Sequence, residues 1–156
     1  MSDEGKTGKD IEIRDIMRPA DSVTPETLAR DALAVMLDHN VPGVAVAEED
    51  GTLLGFVTDG QLLEAAMPKY IKMMDRLNFV PESADNWVHY LTDAADKPVR
   101  EIMTEKVSSV EISASELAVA HCMVHDGVSS VVITEDGKVI GIVNRVDLYA
   151  AIVGLG

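Results

Sequence analysis

The sequence is short of basic residues, aromatics and cysteine, and each shortage excludes something. Thirteen Lys and Arg stand against 27 Asp and Glu, a formal net charge of −14 at pH 7. So acidic a chain repels phosphate backbones and anionic bilayers, so no nucleic acid polymer and no membrane is expected as a partner. The single cysteine, Cys122, cannot form an intrachain disulfide, and a reducing cytoplasm is the expected compartment. No apolar run approaches the roughly 20 residues that span a bilayer. Residues 1–10 are polar, carry no signal-peptide core and are expected to form a disordered tail. Aromatics make up only 4% of the chain, so the core must be aliphatic. What is present is ample: 47% of the 156 residues are hydrophobic, enough for a buried core.

The chain contains one unit written twice. Ile13-Arg-Asp-Ile-Met17 returns as Val99-Arg-Glu-Ile-Met103, 86 residues later. Val23, Met36, Val41, Val44 and Glu48 return 87 residues later as Val110, Met123, Val128, Val131 and Glu135. Gly51, Gly55, Val57 and Leu62 return as Gly137, Gly141, Val143 and Leu148, again at 86. A one-residue slip between long matches is what loop-length variation produces. The chain therefore divides into the tail (1–10), copy one (11–63), an insertion (64–98) and copy two (99–156).

Periodicity changes in the same order within each copy. A short extended stretch comes first, Ser22-Val23 or Val107 to Val110. A helix follows, with apolar residues at helical spacing (Leu28, Ala32, Val35, Met36; Leu117, Ala120, Met123, Val124). Thr24 with Pro25, and a Ser113-Ala-Ser-Glu116 capping box, are the expected helix starts. Asn40 and Gly127 are the expected ends. Two strands then flank an acidic Asp-Gly turn: Val44 to Ala47 with Leu53 to Val57, and Val131 to Thr134 with Val139 to Val143. A second helix opens at Thr58 and at Asn144. Each copy is strand–helix–strand–strand–helix, an α/β (α+β) unit too small to be comfortable alone. Two copies are expected to pack as one pseudo-two-fold module, with the helical insertion between them in sequence.

This repeat resembles the CBS domain, and the arrangement resembles a tandem CBS pair. The residues carrying the resemblance are Asp15-Ile-Met17 and Glu101-Ile-Met103, with Gly55-Phe-Val-Thr58 and Gly141-Ile-Val-Asn144. The resemblance implies a regulatory sensor that binds AMP, ADP, ATP or S-adenosylmethionine in a cleft between repeats and dimerises into a disc. No required cofactor and no catalysis are expected.

The family's ligand signature is Gly-h-h-Thr-x-x-Asp, in which the Asp accepts from both ribose hydroxyls and the Thr contacts phosphate. Copy one has Thr58-Asp-Gly-Gln61, so Gln61 replaces the acid and lacks its charge. Copy two has Asn144-Arg-Val-Asp147, which keeps the acid and replaces Thr by Asn. The Asp147 site is therefore ranked first. Either tetrapeptide could also exist merely to start a helix, the reading favoured for Gln61, whereas ligand contact is favoured for Asp147. Arg145 and Lys106 place two cations near the copy-two signature. By resemblance, Val107, Ser109, Ser129 and Ser130 frame base and phosphate; the counterparts of the serine pair include Pro42 and Gly43.

Other conspicuous residues read more plainly. His121 and His125 share a helix face but have no third metal ligand in view. Cys122 aligns with Val35 and is expected in the core. No phosphate loop, Gly-x-Ser-x-Gly or His-Glu-x-x-His set marks an enzyme. The insertion holds Tyr70, Phe79, Trp87 and Tyr90, four of six aromatics. Two amphipathic helices joined near residues 78–83 are expected there, packing on the module, building a homodimer interface or docking a regulated protein.

Overall fold

A computed structural model describes residues 11–19, 21–67 and 87–155. Six helices and two small sheets make up the described chain, in a mixed α/β arrangement. In copy one these are α1 (Ile13–Ile16), α2 (Ala29–His39), β1 (Gly43–Ala47), β2 (Leu53–Thr58) and α3 (Asp59–Ala65). The insertion contributes α4 (Trp87–Ala95). Copy two follows with a 3₁₀ turn (Val99–Glu101), β3 (Ser109–Glu111), α5 (Glu116–Asp126), β4 (Ser130–Glu135), β5 (Lys138–Asn144) and α6 (Arg145–Ile152).

The hairpins follow from their turn chemistry. In copy two Asp136 and Gly137 both take positive φ, 54° and 81°, and Glu135 pairs with Lys138. That is the two-residue turn whose twist matches the strands. In copy one the Asp50 carboxylate accepts from the Thr52 amide at 3.0 Å, and Gly51 takes φ 96°. The hairpin tips then join: Leu53 N–H donates to the Gly137 carbonyl and Val139 N–H to the Gly51 carbonyl, at 3.3 and 3.0 Å. Copy two's parallel strand β3 pairs Val110 with Ile133. Its copy-one counterpart is a single parallel bridge, Val23 to Val46.

The copies exchange their opening segments. Ile13 and Ile16 pack in the core of copy two, with Val119, Met123, Val131, Ile133, Val143 and Leu148. Val99, Ile102 and Met103 pack in the core of copy one, with Met36, Val44, Val46 and Val57. Antiparallel bridges fix each exchange: Arg18 to Ile142 and Thr104 to Phe56. Each core therefore closes only when both copies are present, and the strand pairing across copies makes one module of two incomplete halves.

Both first helices start later than their sequence signals. Helix α2 begins at Ala29 with Leu28 as its cap, not at Thr24-Pro25. The segment before copy two claims the intervening backbone: Ala29 N–H donates to Lys97 O, Val99 N–H to Thr27 O and Arg100 N–H to Pro25 O, at 2.8–3.0 Å. Helix α5 is capped by Ser115, whose hydroxyl accepts from Ala118 N–H, not by a Ser113 box. Ile112 N–H is still bound to Thr134 O on β4, so the chain cannot turn helical sooner. Asn40 and Gly127 do end these helices in left-handed geometry, φ 53° and 66°. In the insertion, α4 spans the expected Val88 and Leu91. The tail and the other expected helix, with the 78–83 turn, lie outside the described residues.

Candidate functional site

A cleft of about 380 Å³ opens where the two copies meet. Copy one contributes Pro42, Phe56 and the start of α3, from Thr58 to Gln61. Copy two contributes Thr104, Lys106 to Ser108, and Gly127 to Ser130. The volume falls within the roughly 300–1,000 Å³ common for small-molecule sites.

Three local features build it. Gly55 and Gly141 let the chain starts come close: a Cβ on Gly55 would stand 2.8 Å from Thr104 O, and one on Gly141 would stand 3.0 Å from Arg18 O. Next, each closing helix is hung from the strand entry before its hairpin. Asp59 N–H donates to Pro42 O and Arg145 N–H to Ser129 O, at 2.9 and 2.8 Å. Last, a reciprocal capping box opens α3, with Gln61 N–H donating to Thr58 Oγ1 at 3.1 Å and Thr58 N–H to Gln61 Oε1 at 2.9 Å. The capping expectation for Thr58 and Gln61 is thus met in full, and the Gln61 oxygen expected to face a ribose already accepts a backbone proton.

The cleft combines apolar and polar walls. Pro42, Phe56, Val107 and Val128 can hold a flat ring. Thr58, Ser129 and Ser130 add hydroxyls, Lys106 adds an exposed ammonium, and Asp59 adds an acid whose Oδ1 accepts from Gly60 N–H at 2.7 Å. Ser130 donates to Asn144 Oδ1 at 3.0 Å. Ser108 donates to Asp126 Oδ2 at 2.7 Å. The Asp126 carboxyl is held down at about 2, first by the bond from His125 Nδ1, then by Ser108 and Cys122.

The residues singled out in the sequence separate into two places. Lys106, Val107, Ser129, Ser130, Thr58 and Gln61 line this cleft. Asp147, Asn144 and Arg145 do not, so the expected grouping of Lys106 and the strand residues around Asp147 is corrected. The cause is the exchange of openings, which carries residues 104–108 to the copy-one helix. Ser109 sits exposed in β3 beside Val132, and Ser108 takes the place in the lining.

Asp147 instead forms a forked ion pair with Arg18: Nε to Oδ2 at 2.7 Å and Nη2 to Oδ1 at 3.2 Å. The bond from Arg18 is the first cause that holds the Asp147 carboxyl below its usual range; burial opposes this, and the guanidinium charge adds to it. Asn144 precedes α6 without capping it through its side chain, so that expectation is also corrected. The pair borders a hollow of about 550 Å³ that includes Ile16, Met17, Ala150 and Ala151.

Sequence reasoning missed Phe56, Thr104 and Arg18. Phe56 stands inside the quoted Gly-Phe-Val-Thr motif. Arg18 and Thr104 follow the two repeated Ile-Met pairs at the same offset of 86. Cys122 is half-buried, and its thiol donates to Asp126 Oδ2 at 3.4 Å, so it is not a plain core residue. His121 and His125 stack, ring centroids 5.6 Å apart. No helix among the described residues is long and apolar enough to cross a membrane.

Residues 13–68 and 99–154 each match the CBS domain. The chain belongs to the CBS-domain family. It is a CBS pair, and such pairs are regulatory modules that often bind adenosine ligands. It is similar to the uncharacterized protein MJ1426 of Methanocaldococcus jannaschii, 23% identical over 157 residues that span 94% of each chain. It is similar to CBSX2 crystallised in complex with AMP, 25% identical with TM-score 0.64, covering 90% of this CBS pair and 95% of that chain. The CBS-pair protein CBSX2 from Arabidopsis thaliana matches with TM-score 0.69 at 24% identity, over 92% and 95%.

Proposed function

We propose that this CBS pair is a cytoplasmic ligand sensor that takes an adenosine-containing molecule, AMP or a relative, in the cleft of Phe56, Thr58, Gln61, Lys106, Val107, Ser129 and Ser130. The observation that carries the reading is that one cleft joins the closing helix of copy one to the opening strand of copy two. A ligand there touches both copies and favours the arrangement it fits, which is how binding energy becomes a signal. The cleft's composition supports a nucleotide. Phe56 and Val107 suit a purine, the hydroxyls suit ribose and phosphate, and Lys106 offsets the repulsion of an acidic chain. Likeness to CBSX2, which was crystallised with AMP, supports the ligand class.

The signal would pass through a homodimer or to a partner protein. Leu117, Val124, Val146, Tyr149 and Val153 are 51–84% exposed on and beside α5 and α6, an apolar face that a second copy would cover. The insertion, with Val88 and Tyr90 exposed on α4, would serve a regulated partner.

One observation favours a second reading, a docking module without nucleotide: the capping box accounts for Thr58 and Gln61 without any ligand. Thermal melting across AMP, ADP, ATP and S-adenosylmethionine separates the two. A ligand bound at 100 times its Kd stabilises by about 2.7 kcal/mol, so at least one should raise the melting temperature by several degrees. An unchanged melt across the panel supports the docking module.

A further inference from the structure

One pair of equivalent positions carries an ion pair in one half of the module and no charge in the other. Arg18 and Thr104 correspond, since each bridges the residue after a signature glycine of the other copy, Arg18 to Ile142 and Thr104 to Phe56. Gln61 and Asp147 correspond as the third residues of α3 and α6. In one half the pair is Thr104 and Gln61, both uncharged, and both line the 380 Å³ cleft. In the other half the pair is Arg18 and Asp147, joined by the two-pronged contact, with side chains 39% and 22% exposed.

We propose that Arg18 is the specificity-determining residue that confines ligand to the Lys106 cleft, one molecule per chain, by occupying the carboxylate of the other half. This rests on the reading of the cleft given above.

The chemistry runs in one direction. A free carboxylate is a good double acceptor for vicinal hydroxyls, but the guanidinium fork gives each Asp147 oxygen a donor and cancels its charge. A ribose would have to displace the bidentate fork, trading two bonds between opposite charges for two from neutral hydroxyls and giving up the attraction between guanidinium and carboxylate. Arg18 would be left to rehydrate. The surrounding charges add to this. The sequence offset sets Ala20 against Lys106, so that position brings no cation, and Asp15 lines the hollow beside Asp147, an acid that disfavours a phosphate. The open half keeps a cation: Lys106 makes no ion pair among the described residues, although Glu105 precedes it and Asp59 also lines the cleft.

Calorimetric titration with AMP tests this on the full chain. Wild type should bind one AMP per chain. Arg18→Gln should bind two, with affinity for the first unchanged within about threefold. The double variant with Asp147→Asn should return to one. Lys106→Glu locates the sites: it should abolish binding in wild type and leave one AMP per chain beside Arg18→Gln. Should Arg18→Gln fail to fold, Arg18→Lys carries the same expectation of a second site, because an ammonium cannot grip both oxygens as the planar fork does. Two AMP per wild-type chain, or a single AMP in both Arg18 variants, overturns the role of Arg18 and leaves the cleft reading standing. No heat and no thermal shift in any variant overturns the cleft reading, and the role of Arg18 with it.

Discussion

Gly55 and Thr104 approach so closely that a Cβ on the glycine would lie 2.8 Å from the threonine carbonyl oxygen. Real Cβ atoms do not come that near to backbone, and the same atom would sit 2.7 Å from Met103 Sδ. The bridge from Phe56 to Thr104, which carries copy two's opening into copy one, depends on this contact. Gly55→Ala should therefore destabilise by about 1–3 kcal/mol, the usual cost of overpacking. Gly141→Ala, with 3.0 Å to Arg18 O, should cost less. Urea denaturation of both variants gives the order; equal stabilities would contradict it.

Thr58 contributes to the helix start whether or not ligand binds. Removing its hydroxyl in Thr58→Ala breaks one half of the capping box and should cost about 1 kcal/mol, or about 2–4 °C in melting temperature for a chain of this size. The same loss should be seen without nucleotide. A variant that melts like wild type alone but loses AMP binding would show that the box contributes nothing and the hydroxyl serves only the ligand.

Much of this was legible from the repeat. The order of elements, the hairpins with their Asp-Gly turns, and the helix ends at Asn40 and Gly127 all follow from local chemistry, which the sequence prints directly. What was illegible is what depends on partners far along the chain. Thr24-Pro25 is a sound helix signal, but Lys97, Val99 and Arg100 claim that backbone. Lys106 and Asp147 stand in the same copy, and the exchange of openings sets them in different halves. A motif reading assumes that residues near in sequence share a site. Here the cross-copy bridges Arg18–Ile142 and Phe56–Thr104 decide who shares it.

Acid should weaken the module partly through Asp147. Its folded carboxyl is lowered by Arg18, so the contribution is fully present above the unfolded carboxylate pKa of about 3.9. It is lost as pH falls through the lowered folded value. Asp126, held at about 2, adds a second loss in the same range. Comparing wild type with Asp147→Asn from pH 6 to pH 2 isolates the first: the stability difference should shrink below about pH 4. A constant difference would mean the pair contributes nothing that titrates.

The Cys122 thiol is pushed up first by burial and then by the bond to Asp126. Asp126→Ala removes the second cause and leaves the first. Alkylation of Cys122 by iodoacetamide at pH 8 should therefore speed up in the variant, because the thiolate is the nucleophile. An unchanged rate, with the melt showing the variant folded, would exclude a bond between the two in solution.

A crystal structure grown with saturating AMP tests the central claim most directly. The purine should lie between Phe56 and Val107, with phosphate near Lys106 and Ser129, and the Arg18–Asp147 pair should stay closed. AMP seated on Asp147 with the Lys106 cleft vacant, or no AMP in either half, would contradict the account.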